Sequence, residues 1–160
     1  MRGLAELQLR PRRSNPFPTP TPEQFTAFET YFGVTLPPDY RAFLSFCNGG
    51  STPLRAYADP NGGVGEVNDF YGLGTRESDE THRGETTTPW EIGNLWGETR
   101  IWRTLIDPRA VPFGRDGGDN QLFLDFRSQP PAVARYIFST GNTYKIAESF
   151  ADFVGLLRLP

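Results

Sequence analysis

One cysteine, one histidine, one methionine and one lysine are all that 160 residues contain of those four types. A single cysteine excludes an internal disulfide framework, and one histidine with one cysteine cannot assemble a tetrahedral zinc site from its usual ligands. With one lysine and a net charge of −3, the body of the chain also lacks the clustered cations that neutralise a phosphate backbone. No stretch approaches the ~20 apolar residues that span a bilayer, and the opening MRGLAELQLRPRRSNPF has no continuous apolar run of the secretory type. The expectation is a soluble protein of the reducing cytoplasm, with no metal or cofactor and no direct nucleic-acid contact.

Aromatic residues are abundant. They make up 14% of the chain, including 13 Phe, so rings replace the usual excess of Leu, Ile and Val as core material. The length suits one domain with one core. Charge is unevenly placed: the first 13 residues carry four Arg against one Glu, which leaves −6 for the remainder. An acidic body of this kind fits a basic partner by steering. Residues 11–22 hold five prolines and read as an extended linker, strapped to the surface or free, so the expected division is a basic Pro-rich arm over 1–21 and a domain over 22–160.

Hydrophobic spacing then marks the elements. In TPEQFTAFETYFG, Thr21 caps a helix, Pro22 suits its first turn, Gln24 completes a capping box and Gly33 supplies the exit, with Phe25, Phe28 and Phe32 on one face. In LPPDYRAFLSFCNGG, Tyr40, Phe43, Leu44 and Cys47 form a second helical face, with Asn48, Gly49 and Gly50 as its stop. GEVNDFYGLG reads as a strand, and a helix start is expected at Thr88 and Pro89. In QLFLDF, Leu122, Leu124 and Phe126 alternate with Gln121, Phe123 and Asp125 after the turn RDGGDN. AVARYIF and TYKIA make another hairpin, and ESFADFVGLLRL closes as a helix with Phe150, Phe153, Val154 and Leu157 on one face. The order predicts an α+β single domain, an antiparallel sheet with helices packed beside it.

Candidate chemistry is thin. Cys47 shares a face with three core residues, where burial silences a thiol, and His82 lies in a polar loop with no nucleophile beside it. Asp116 and Asp119 could form a carboxylate pair or hold a hard cation, but the spacing is not that of a calcium loop; a tight turn with its glycines at positive φ is the expected reading. The glycines of GVGEVNDFYGLG lack the strand-to-helix context of a phosphate cradle.

Three segments, FGVTLPPDYRAFLSFCNGG, VPFGRDGGDNQLFLDF and AESFADFVGLL, resemble in order and spacing the SUKH superfamily of cell-wall-assembly regulators and bacterial immunity proteins. The resemblance covers residues 22–158. It implies an α+β fold without a cofactor, no enzymatic activity, and binding of a cognate polymorphic toxin, often a nuclease. On that reading Glu77, Asp79, Glu80 and Glu85 offer a landing surface for a basic toxin domain, Trp90, Trp96 or Trp102 supply ring anchors, and Asp116 and Asp119 add carboxylates. An intracellular regulatory or scaffold protein is the alternative, followed by a metal-dependent hydrolase built on Asp116 and Asp119.

Overall fold

The computed structural model describes residues 3–13, 16–76 and 93–160. A 3-10 turn at Leu4–Leu7 precedes α1 (Pro22–Phe32) and α2 (Pro38–Phe46), followed by β1 (Ala56–Ala58), β2 (Val64–Glu66) and β3 (Asp69–Phe70). Then come α3 (Leu95–Arg103), β4 (Ala110–Arg115), β5 (Gln121–Asp125), β6 (Ala132–Ile137), β7 (Asn142–Ala147) and α4 (Phe150–Leu156). Strands β3 to β7 form one antiparallel sheet in chain order, and β1 and β2 pair separately. The fold is α+β, as the order of elements predicts. The stretch GEVNDFYGLG divides into β2 and β3, which belong to different sheets.

Local chemistry sets the helices. The Thr21 hydroxyl accepts from the Gln24 N–H while the Gln24 side chain accepts from the Thr21 N–H, and Gly33 closes α1 in the left-handed region at φ 65°. Helix α2 ends at Phe46, before the expected Asn-Gly-Gly stop, because Cys47 is already extended. Asn48 then acts as a bridge: its amide donates to the Leu73 and Pro18 carbonyls and its oxygen accepts from the Leu73 N–H. Gly50 lies opposite Phe70, and a Cβ there would sit 2.1 Å from the Arg10 carbonyl oxygen, so only glycine fits between the two chains.

The inner face of the five-stranded sheet receives α2 and α4. Phe113 is the hub, with ring centroids 6.1 Å from Tyr40, 6.4 Å from Phe70, 5.2 Å from Phe150 and 5.4 Å from Phe153. The outer face carries small residues, Ala110 and Ala134, beside Phe123 and Tyr136, and α3 settles there with Trp102 and Ile106. Both faces of β5 are therefore covered, and Phe123, the residue that breaks strict alternation, belongs to this second cluster. Arg103 ties the outer layer to α1, donating from Nε to the Ala110 carbonyl at 2.9 Å and from Nη1 to the Phe32 carbonyl at 3.0 Å.

The Pro-rich segment lies along the domain. Leu7 is fully buried, Arg10 exchanges two backbone hydrogen bonds with Ser51, the Thr52 hydroxyl donates to the Leu7 carbonyl, and Phe17 packs over Gly72.

Candidate partner-binding surface

Of the residues singled out as a binding surface, Glu77, Asp79, Glu80, Glu85 and Trp90 lie outside the described residues, as do His82, Thr88 and Pro89. The described helix α3 starts at Leu95, where the Asn94 side chain accepts from the Trp96 N–H. Trp96 is 3% exposed and its ring contacts Phe28, Tyr31 and Phe32 at 5.4 to 5.5 Å. It is a core residue that reaches the floor of a groove of about 580 Å³, lined also by Ala27, Tyr31 and Arg76, with the Arg76 guanidinium 4.6 Å above the Tyr31 ring.

Asp116 and Asp119 flank the β4–β5 turn but point to different partners. One oxygen of Asp116 accepts from the Gly118 and Asn120 N–H groups, and the other accepts from Arg135 at 2.6 Å and from the Asn120 amide. Burial raises the Asp116 pKa, but these donors outweigh it and hold the carboxyl below its ordinary value. Asp119 is exposed and meets Arg115 at 3.4 Å. The left-handed residue of this turn is Asp119 itself, at φ 60°, and not either glycine as the sequence suggested. Aspartate tolerates that region because its short side chain bonds locally. Among the described residues, no group of three or more His, Cys, Asp or Glu is placed to hold a metal ion. Cys47 donates to the Gly49 carbonyl, and burial pushes its pKa up, away from reactivity at neutral pH.

Sequence reasoning missed two arrangements. Arg135, on β6, lies between Asp116 and Asp59, the latter 3.1 Å away in the β1–β2 hairpin, so one cation pins the small sheet to the large one. Two aspartates 57 positions apart leave no local signal. The other is Glu98, which accepts from the Gly93 N–H at 2.9 Å with one oxygen and from the Trp102 indole N–H at 3.0 Å with the other. Burial raises its pKa despite those bonds. The i,i+4 spacing of Glu98 and Trp102 was a readable cue.

An antiparallel sheet packed by helices, with Asp116 and Asp119 held in a turn and in ion pairs, defines an α+β domain. The chain matches the model of the SMI1 / KNR4 family (SUKH-1) over residues 19–155, and it belongs to that family. A search of the curated proteins finds no match. Among the described residues, no helix is long and apolar enough to cross a membrane.

Proposed function

We propose that this chain is an immunity protein that binds a cognate polymorphic toxin domain in the cytoplasm and blocks its active site or its access to substrate. The observation that carries the reading is SUKH-1 membership over residues 19–155. The commitment of Asp116 to backbone and Arg135 donors supports a binding role over a hydrolytic one, since neither of its oxygens is spare for a metal or a water. Neutralisation is steric and electrostatic. The acidic residues Glu77, Asp79, Glu80 and Glu85 draw in a basic toxin, and Trp90 supplies contact area. A nuclease fits such an inhibitor well, because a site that attracts a polyanion also attracts clustered carboxylates.

The test is co-expression with the toxic C-terminal domain encoded by the neighbouring open reading frame. Cell survival and a co-purifying complex are expected. Persistent toxicity with abundant folded protein overturns the pairing. Changing Glu77, Asp79 and Glu80 to Lys is expected to slow association about tenfold at low salt and less at high salt; an unchanged rate removes that stretch from the interface.

A further inference from the structure

We infer that the toxin-facing surface has an apolar centre on the outer side of the sheet, formed by Ile101, Leu105, the edge of Trp102 and Phe138, which receives an apolar projection of the partner protein. The inference rests on the immunity function proposed above and names where that binding is centred. Ile101, Leu105 and Phe138 are 55%, 50% and 57% exposed, and Phe138 rests against the Trp102 ring. Ile101 and Leu105 are four residues apart at the end of α3, where the Leu105 N–H bonds the Trp102 carbonyl, so they share a stripe beside Trp102. Phe138 follows β6 and meets the Trp102 ring edge-on at 6.0 Å, while Tyr136 supports that ring from below at 6.1 Å.

The Trp102 ring is fixed before any partner arrives. Its indole N–H is satisfied internally by Glu98 at 3.0 Å, so the part facing outward is apolar and needs no polar partner. A side chain already held in one rotamer loses little entropy on binding, the condition under which aromatic anchors contribute most.

Area decides what covers the patch. The three exposed side chains present roughly 300 Å² of apolar surface, against about 800 Å² per partner in a stable interface, and permanent dimers use still larger and more apolar faces. That amount suits the centre of a non-obligate complex with a polar rim. The rim is present: Thr143 pairs opposite Tyr136 and Lys145 opposite Ala134, which places both on the same face of the sheet. Lys145 is the one lysine of the chain and stands, half exposed, on the edge strand β7, a position where lysine discourages strand pairing between copies. The occupant is therefore a different folded protein, offering an apolar projection. Elsewhere, Tyr31 is 46% exposed and meets the Phe32 and Trp96 rings, but the Arg76 guanidinium lies over its face, and Phe46 joins no ring pair among the described residues.

The experiment compares the toxin domain's affinity for the wild-type chain with that for Ile101→Ser/Leu105→Ser, for Phe138→Ser, and for two controls of equal or greater exposure, Val64→Ser and Leu159→Ser. Patch variants are expected to bind at least about tenfold more weakly, with controls within about twofold. Hydrogen exchange of the wild-type complex provides a readout without any substitution, and residues 101–105 and 136–138 are expected to gain protection. Tight binding by the patch variants, or protection confined to other segments, overturns this surface and leaves the immunity function standing. Absence of both complex and rescue with the wild-type chain overturns the immunity function, and this surface falls with it.

Discussion

The two faces of the five-stranded sheet are built on opposite principles. The inner face meets α2 and α4 through bulky rings, with Tyr40, Phe43, Phe113, Phe150 and Phe153 buried in mutual contact. The outer face mixes Ala110 and Ala134 with Phe123 and Tyr136, and a single helix lies against β4 there, leaving Phe138, Ile101 and Leu105 exposed. More ring contact is buried on the inner side than on the outer.

The comparison breaks first at its strongest point. Phe113→Ala removes the ring that joins both inner helices to β4 and is expected to cost about 3–5 kcal/mol, read as a lowered urea midpoint. A loss below about 1 kcal/mol would mean that the inner face is not where stability resides. Asp116→Asn comes next. It removes one of the two carboxylates on Arg135 and is expected to cost about 2 kcal/mol at neutral pH, less than a fully orphaned buried charge because Asp59 remains. The pH dependence has a definite sign. The Asp116 carboxyl is held below its ordinary value in the folded protein, so its stabilisation is fully present above the unfolded carboxylate range and is lost as pH falls through the folded value. The gap between wild type and Asp116→Asn is thus expected to close as pH falls below the ordinary carboxylate range and through the folded value, and a gap that persists in strong acid would assign the effect to turn geometry alone.

Much of the inner face was legible in the sequence, and little of the outer face was. Helical spacing identified Tyr40, Phe43 and Leu44 in α2 and Phe150, Phe153 and Val154 in α4, and all six are buried. The capping signals of α1 were equally local, since Thr21, Gln24 and Gly33 each act on a neighbour. What remained hidden is non-local. Arg135 joins Asp59 and Asp116 from three different parts of the chain, and Phe138 gains its meaning only because the fold brings Trp102 beside it. Trp96 shows the converse: a tryptophan with interface composition turned out to be enclosed by α1, because Phe28 and Phe32 supplied a closer apolar partner than solvent exposure allows. For the acidic candidates from Glu77 to Glu85, the sequence remains the whole basis of the proposal.

A smaller effect sharpens the contrast on the outer side. Trp102→Ala is expected to cost about 1–2 kcal/mol, below the usual loss for a core tryptophan, since the ring is half-buried and its neighbours can partly close over the gap. It also leaves Glu98 without one of its two donors in a desolvated site. Burial already raises the Glu98 pKa, so losing the indole raises it further and makes the variant's penalty grow as pH rises through the folded value of the wild type, above the ordinary carboxylate range. Trp102→Phe keeps most of the ring while removing the N–H, and is expected to retain the pH-dependent part of the loss with little of the rest. If the loss in both variants is instead the same at every pH across this range, Glu98 is not reading the indole, and the fixed orientation of the ring toward Phe138 comes from packing on Tyr136 alone.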